Sequence, residues 1–255
     1  MLPLSPFAKP LSRRFVPAVA LVLLAGCAAP IPSGISDPHE AQNRAVHRGN
    51  IALDRNVVRP AAMAYGRTVP WPVRTGIGNF ASNLALPGAV INSLLQLRPG
   101  DAAQNTTRFL VNSTIGLGGL LDPATRMGAA RIDTDFGETL HVWGVAEGSY
   151  MELPLLGPST GRDALGTVVD LVLSPTARLP NTEQREGAGG VAVLSGLGTR
   201  YERSNLIDSL LYESADSYAQ TRQTYLENRR FNLRRGAEPD YFDPYEDPYE
   251  DPTAQ

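Results

Sequence analysis

The sequence predicts a single, mainly α-helical domain, and three observations support this fold class. Apolar residues recur mostly at helical spacing, and runs that alternate apolar with polar side chains are few. The 24 glycines and 21 prolines recur along the whole chain, which favours many short elements over a few long ones. The body of the chain, residues 37–235, has the usual size of one domain.

Seven helices are expected within this body. The predicted ranges are 42–58, ending near Arg59-Pro60, then 72–84, 87–97, 102–117, 162–173, 199–211 and 214–235. Prolines 72 and 87 suit a first helical turn, because the N–H groups of that turn have no partner within the helix. The last two ranges form a charged C-terminal pair.

The first 26 residues are typical of a lipoprotein signal peptide that ends before Cys27, the only cysteine. Lys9, Arg13 and Arg14 precede an apolar run at 15–25, about half of the ~20 residues that span a bilayer. The small residues before Cys27 predict cleavage there and a diacylglycerol on its thiol. The alternative is an ordinary secretory signal with an incidental cysteine. Ala28 stands where aspartate would favour inner-membrane retention, so we expect the outer membrane, lipid-anchored on its periplasmic side.

Composition divides the rest of the chain into three segments. Residues 27–36 are a Pro/Gly/Ser-rich tether that carries the lipid. Residues 37–235 are the helical domain. Residues 236–255 contain an Asp-Pro-Tyr-Glu unit repeated in tandem at 243–252, which cannot build a core, so we expect a disordered acidic tail that acts as a spacer or, alternatively, docks a partner.

Charge and cysteine usage exclude several functions. The formal net charge is −3 and no basic stripe occurs, so nucleic acid is not an expected partner. Once Cys27 is lipidated, no thiol remains for a disulfide or a thiolate metal site.

The segment between Arg74 and Arg98 carries no charge over 23 residues, unlike an ordinary soluble helix. Pro87-Gly88 predicts a break near its middle, giving two arms of ~10–12 residues, each about half the depth of a bilayer core. A hairpin of this size would enter one leaflet and return. It also carries a seam of polar side chains, which in lipid need partners or water, and this indicates a hydrated channel. The alternative is a buried soluble hairpin with satisfied amides. The polar residues are Asn79, Asn83, Asn92, Ser93 and Gln96.

A second uncharged stretch, residues 109–121, contains Gly116, Gly118 and Gly119. Three glycines in four residues allow either a mobile gate or a tight turn.

No catalytic or metal-binding constellation is evident. Gly76 to Ala81 matches a loose dinucleotide fingerprint without the strand that should precede it. His39, His47 and His141 have no serine in a nucleophile elbow, and the first two fall on a helix that is expected to be exposed. The spacing Asp133-x-Asp135-x-Gly137 lacks the further ligands of a calcium loop. We therefore expect neither an enzyme nor a bound cofactor or metal.

An ordered series of short motifs resembles the MlaA (VacJ) family of outer-membrane lipoproteins. It runs from about Ser36 to Phe231, and its densest part joins Asp135-Phe136-Gly137 to Trp143-Gly144-Val145. The other motifs are Ser36-Asp37-Pro38-x-Glu40, Asn43-Arg44, Val58-Arg59-Pro60, Ala64-Tyr65, Gly76-x-x-Asn79-Phe80, Asn83-Leu84-x-x-Pro87, Arg108-Phe109, Asn112, Gly116-x-Gly118-Gly119-x-x-Asp122, Gly148-x-Tyr150-x-x-Leu153-Pro154 and Gly157-Pro158-Ser159-x-x-Arg162-Asp163. His39 and Gln42 depart from the family pattern, which usually has an apolar and an aromatic residue there.

The resemblance implies a ring-like arrangement of amphipathic helices in one membrane leaflet, around a central amphipathic pore. Mislocalised phospholipid would leave the outer leaflet through the pore and pass to a soluble periplasmic lipid carrier. Family members are associated with a trimeric porin. The alternative function is a structural lipoprotein that braces a porin without conducting lipid, and a phospholipase is a third.

The hypothesis for the site divides the candidate residues into three groups. Asn83, Asn92, Gln96 and Asn112 would line a hydrated path for headgroups. Phe80, Leu94, Leu95 and Phe109 would face acyl chains. Gly116, Gly118 and Gly119 would let a neighbouring loop move.

Overall fold

Helices make up most of residues 34–235, the part of the chain that this computed structural model describes, and the predicted mainly α fold class is confirmed. Cys27 and the acidic tail lie outside the described residues, so their roles stay predictions. The helices are α1 (Glu40–Leu53), α2 (Arg59–Thr68), α3 (Trp71–Leu95), α4 (Pro99–Thr114), α5 (Pro123–Arg126), α6 (Phe136–Val142), α7 (Gly161–Leu173), α8 (Thr182–Glu202), α9 (Ser204–Asp208) and α10 (Ser217–Arg234). A 3₁₀ turn (Pro175–Arg178), two π-helical turns (Asp54–Val58 and Ser209–Glu213) and two strands, β1 (Tyr150–Leu153) and β2 (Gly157–Thr160), complete the fold.

The first helical stretch does not end at Pro60, so the predicted stop is wrong. A π-helical turn joins α1 to α2, and the N–H of Arg59 donates to the carbonyl of Asp54, five residues earlier. Proline in a regular helix lacks a donor and crowds the carbonyl four residues before it. The wider π turn directly before Pro60 lets the chain stay helical through α2.

Helix α3 is continuous through Pro87, so the predicted hairpin of two short arms is also wrong. A proline inside a helix costs roughly 3 kcal/mol, which sequence reasoning takes as a break. Here α3 packs along α4 on one side and α8 on the other, and this tertiary packing outweighs the cost. Within residues 34–235, no helix combines the length and apolarity needed to cross a membrane.

Strands β1 and β2 form an antiparallel hairpin in which Tyr150 pairs with Thr160 and Leu153 with Gly157. The side chain of Asn43 on α1 completes the free edge of β1, since its Nδ2 donates to the Tyr150 carbonyl and its Oδ1 accepts from the Glu152 N–H. The hairpin is thereby held against α1. Four-residue strands are too short for a clear alternating pattern, which is why the sequence gives little sign of them.

Most of helix α8 was not predicted, because glycines at 187, 189, 190, 196 and 198 lower its helix propensity. In the structure, two glycines lie in close contact with aromatic side chains of the facing helix. The Tyr201 ring of α8 occupies the space where a Cβ at Gly66 of α2 would stand, and Gly198 lies against Tyr65. Small residues therefore let α2 and α8 pack closely.

The described part of the chain has a polar interior and an apolar exterior. Nine apolar side chains are buried, against 17 polar or charged ones, and 26 large apolar side chains are exposed. On α7, the exposed Leu165, Val168, Leu171 and Val172 form one outward face. An exposed apolar face of this extent indicates contact with a partner or with an apolar medium.

Candidate functional site

A cavity of about 310 Å³ lies between α3, α7, the 3₁₀ turn and α8. Its wall is formed by small apolar side chains together with a few polar ones. These residues are Ala81, Leu84, Ala85, Gly88, Ala89, Asn92, Thr134, Asp170, Ser174, Pro175, Thr176, Ala188 and Ala192.

Helical spacing explains the apolar wall. Residues 81, 85 and 88 of α3 recur every three or four positions and so share one face of the helix, which Asn92 continues at its polar end. Ala188 and Ala192 of α8 are four residues apart and present a matching narrow stripe. Because most of these side chains are alanine or glycine, two packed helices leave open space between them.

The polar part of the cavity wall is held by a hydrogen-bond chain. Asn92 Nδ2 donates to Asp170 Oδ1 at 2.9 Å, and the N–H of Phe136 donates to Asp170 Oδ2 at 2.8 Å. The Thr139 hydroxyl donates to Asn92 Oδ1 at 3.0 Å. Asp170 therefore connects α7 to α3 and to the start of α6. The cavity is amphipathic, with an apolar wall on α3 and α8 and a polar wall around Asp170.

Residues around the motif that begins at Asp135 hold the polar wall of the cavity in position. Arg229 of α10 binds Asp135 at 2.7 Å and Asp163 at 2.9 Å. Burial raises the pKa of Asp163, but its bonds to Arg229 and Tyr225 outweigh this effect and hold the pKa below its usual value. A Cβ at Gly166 would overlap the backbone of Gly137, so both glycines are required for the close approach of α6 and α7.

Comparison with known proteins assigns this arrangement to a family. Residues 35–232 match the sequence model of the family described as MlaA lipoprotein. The chain belongs to the MlaA family. The resemblance found in the motifs is thereby confirmed.

Relatives with curated names agree with this assignment. The chain is 36% identical over 222 residues, 84% of its length, to the Intermembrane phospholipid transport system lipoprotein MlaA of Shigella flexneri, of which 86% is covered. The MlaA of Escherichia coli strain K12 is 35% identical over the same shares, and that of Haemophilus influenzae is 32% identical over 86% of this chain and 89% of the relative. A solved structure described as "Structural basis for maintenance of bacterial outer membrane lipid asymmetry" superposes with a TM-score of 0.65 at 32% identity, covering 78% of this chain and 99% of that one.

Of the four amides predicted to line a path in this MlaA domain, the structure brings two together. Asn92 lines the cavity, and Gln96 lies one turn away, bonded to Thr134 at 2.7 Å and to Thr139 at 2.9 Å. Both are buried. Gln96 thus supports the polar wall from behind it, and its role in a lipid path stays a prediction.

The other two amides lie between α3, α4 and the glycine loop. Asn83 Nδ2 donates to the Ser113 hydroxyl at 3.0 Å. Asn112 donates to Asp122 at 3.0 Å and accepts from the N–H of Ala124 at 3.1 Å. These are contacts within the protein, but only Asn112 is satisfied at both amide atoms, because Asn83 Oδ1 is buried without a hydrogen-bond partner. Their predicted part in a lipid path remains untested.

The residues predicted to face acyl chains are not among those that line this cavity. Leu94 and Leu95, near the end of α3, are 54% and 37% exposed, whereas Phe80 and Phe109 are half-buried. The two leucines belong to the apolar exterior of the MlaA domain. Contact of all four with acyl chains stays a prediction.

The glycine loop that follows α4 is tightly packed. Gly118 and Gly119 have φ of 74° and 100°, which favour glycine, and a Cβ at Gly119 would stand 2.7 Å from Asn83. The Leu121 N–H donates to the Gly116 carbonyl at 2.9 Å and closes the loop. Its movement remains a prediction, but Gly119 already serves to let the loop approach α3.

Sequence reasoning missed Asp170, the one charged residue of the cavity wall. A signal was present, because Asp170 interrupts the otherwise apolar run at 168–173. A lone charge in such a run either faces outward or meets a polar partner, and only the fold shows that it meets Asn92.

The histidines were also misjudged in part. His47 is buried rather than exposed, and its ring bonds Glu152 Oε1 at 3.1 Å and the Ser217 hydroxyl at 3.2 Å. This row has the order of a hydrolytic triad. An adjacent cavity of about 250 Å³ is lined by His47 and Glu152, but Ser217 is not among its lining residues in the described part of the chain. The row joins α1, β1 and α10. Over residues 34–235 no cluster of three His, Cys, Asp or Glu side chains could hold a metal ion.

Proposed function

We propose that this protein is an outer-membrane lipoprotein that removes mislocalised phospholipid from the outer leaflet and so maintains the lipid asymmetry of that membrane. The lipid passes through the cavity between α3, α7 and α8. Cys27 carries the lipid anchor, and the protein lies on the periplasmic side. This proposal rests on the membership in the MlaA family and on the names of the relatives.

The amphipathic cavity is the observation that carries the proposal. A phospholipid has an apolar and a polar part, and the cavity offers alanine and leucine side chains on one wall and Asn92 with Asp170 on the other. Polar groups in an apolar setting are costly unless they are paired or line a wet space, and here they line a cavity.

The apolar exterior supports a position in one leaflet. The exposed face of α7, with Leu171 at 70%, would lie among acyl chains, as would Leu97 at 88%. A ring-like arrangement of the helices around the cavity is part of the proposal.

Two protein partners complete the proposed path. A trimeric porin would hold the protein in the membrane, and a soluble periplasmic carrier would accept the lipid. The passage needs no bound cofactor and no chemical step. The alternative remains a lipoprotein that braces the porin without conducting lipid.

The experiment closes the cavity without disturbing the fold. Gly88 is a lining residue of the cavity and a Cβ there would meet nothing within 4 Å, so Gly88→Phe is expected to fill the space. Gly78 lies on the same helix with equally open surroundings and is not a lining residue, so Gly78→Phe is the matched control. Both changes replace glycine within a helix and should not weaken it. Phospholipid and lysophospholipid in the outer leaflet are measured in cells that lack the protein and carry each variant.

The expected result is that surface phospholipid rises on deletion and falls again with wild type and with Gly78→Phe, but not with Gly88→Phe or Cys27→Ala. Full rescue by Gly88→Phe would exclude the cavity as the path. An outer leaflet that does not change on deletion would favour the bracing role. Lysophospholipid that depends on the protein would indicate a phospholipase.

A further inference from the structure

Asp170 differs from every other half-buried or buried carboxylate between residues 34 and 235. Each of the eleven others pairs with an arginine or histidine within 4 Å. Examples are Asp54 with Arg200 at 2.7 Å, Glu147 with Arg230 at 2.8 Å and Asp122 with Arg108 at 2.9 Å. The remaining pairs are Asp37–Arg222, Glu40–Arg44, Asp101–Arg235, Asp135–Arg229, Glu138–Arg235, Glu152–His47, Asp163–Arg229 and Asp208–Arg59.

The contacts of Asp170 are instead to neutral donors. Its oxygens accept from the Asn92 amide and from the Phe136 backbone N–H. These bonds fix the carboxylate in place, and no arginine, lysine or histidine of the described residues lies within 4 Å of it; Arg229 is the cation that shares a neighbouring cavity with Asp170. The carboxylate belongs to the cavity wall, which contains no arginine or histidine among its lining residues.

From this arrangement we propose that Asp170 is a specificity-determining residue that favours phospholipids with a cationic ammonium in a zwitterionic headgroup over anionic phospholipids. The inference rests on the proposed function, since it concerns the lipid that enters the same cavity. An ammonium group can pair with Asp170. Ser174 and Thr176 on the cavity wall are hydrogen-bonded to each other at 2.7 Å, and the phosphate of the same headgroup can accept from the one O–H that this pair leaves free.

An anionic headgroup has no group that can pair with Asp170, and its net charge is repelled. Two unit charges about 4 Å apart interact by roughly 1 kcal/mol even in a water-filled space, which corresponds to about a 5-fold preference. A preference of this size suits a passage, because a lipid must bind well enough to enter and weakly enough to leave.

The test measures which lipid occupies the cavity. A photo-crosslinking amino acid replaces Ala85 on the apolar wall, and the full-length protein is placed in vesicles of equimolar phosphatidylethanolamine and phosphatidylglycerol. Mass spectrometry then gives the ratio of the captured lipids. We expect about 5-fold more phosphatidylethanolamine for wild type and a ratio near one for Asp170→Asn. Glu202→Gln, which removes an exposed carboxylate at the end of α8, should keep the wild-type ratio.

A second variant keeps Asp170 and its hydrogen bonds intact. Ala192→Lys adds a cation to the facing wall and should shift capture toward phosphatidylglycerol, whereas Ala192→Gln, similar in length but uncharged, should not. If circular dichroism shows that Asp170→Asn does not fold, the comparison of Ala192→Lys with Ala192→Gln tests the specificity instead.

The outcomes separate this inference from the proposed function. Equal capture of both lipids by wild type, or the same ratio in wild type and Ala192→Lys, overturns the specificity while lipid still occupies the cavity. Capture of neither lipid overturns the proposed function, and the specificity with it.

Discussion

Arg229 on α10 and Asp163 on α7 form a two-pronged ion pair, with Nη2–Oδ1 at 2.9 Å and Nε–Oδ2 at 3.1 Å. The same guanidinium also binds both oxygens of Asp135 at the start of α6. The Arg229 side chain therefore links α7 to the start of α6, and these two helices support the polar wall of the cavity.

Replacement of Arg229 by alanine is expected to lower the free energy of unfolding by about 3 kcal/mol. The change leaves Asp163 buried with only the more distant Arg162, 3.5 Å away, as a cation, and breaking a buried pair from one side is costly. Urea unfolding in detergent, followed by circular dichroism, measures the difference.

The neighbouring Arg230→Ala is the control for this prediction. Arg230 also binds a carboxylate, Glu147, but its side chain is 38% exposed, so the loss should be below about 1 kcal/mol. Equal losses for the two variants would mean that the Arg229 network adds nothing beyond a surface pair.

Gly66→Ala is expected to destabilise the protein by roughly 1–3 kcal/mol, because the new methyl group would overlap the Tyr201 ring and separate α2 from α8. Thermal unfolding measures the effect. Gly49→Ala, on α1 with nothing within 4 Å, should be neutral or slightly stabilising. If the steric explanation holds, the added change Tyr201→Ala makes Gly66→Ala nearly harmless; a penalty that persists in the double variant contradicts it.

The stability of the protein should depend on Asp122 between about pH 4 and pH 2. Burial raises the pKa of this carboxyl, but its bonds to Thr125, Arg108 and Asn112 outweigh burial and lower the pKa from 3.8 to about 2. A group with a lowered pKa in the folded state stabilises that state above its unfolded pKa. The contribution is lost as the pH falls through the folded value, and here it amounts to about 2 kcal/mol.

Asp122→Asn tests this dependence. The variant should be less stable at pH 7 and should lose less stability than wild type between pH 4 and pH 2. Asp133→Asn removes a carboxylate whose side chain is 78% exposed and should leave the pH profile nearly unchanged. Parallel profiles for wild type and Asp122→Asn would show that Asp122 is not the group responsible.

Asn92→Leu should impair phospholipid passage more than its effect on stability explains. Asn92 belongs to the cavity wall and orients Asp170, so leucine removes a polar lining group and leaves Asp170 Oδ1 without its amide donor, at a cost of roughly 1–3 kcal/mol. The measurement is surface phospholipid in complemented cells, normalised to the amount of folded protein.

Asn112→Leu is the comparison for Asn92→Leu. It also removes a buried amide, but one whose contacts are Asp122 and Ala124 and which is not among the lining residues of this cavity. We expect it to lower the amount of protein without lowering passage per folded molecule. Wild-type passage per folded molecule by Asn92→Leu would remove Asn92 from the path, whereas reduced passage per folded molecule by Asn112→Leu would place Asn112 on it.

Much of this architecture is visible in the sequence. Helical spacing predicted the fold class, and ordered motifs such as the one that begins at Asp135 identified the family. The polar residues of α3 also predicted a hydrated channel, which stays a prediction, and one of them, Asn92, lines a cavity. The predicted helix boundaries were wrong where tertiary packing outweighed the local effect of a proline or a glycine. Pro87 does not break α3, because α4 and α8 pack along it, and the glycines of α8 do not end that helix, because they allow close contact with α2.

By itself, the sequence determined the helical composition and the family, and it predicts a lipid anchor at Cys27, because these depend on local spacing and on contiguous motifs. Only the tertiary structure decided which polar residues share a cavity. Asn92 and Asp170 lie 78 positions apart and meet at 2.9 Å, while Asn83, on the same helix as Asn92, bonds elsewhere. Side-chain type shows that a group needs a polar partner, but the partner is chosen by packing between distant elements, which no local pattern records.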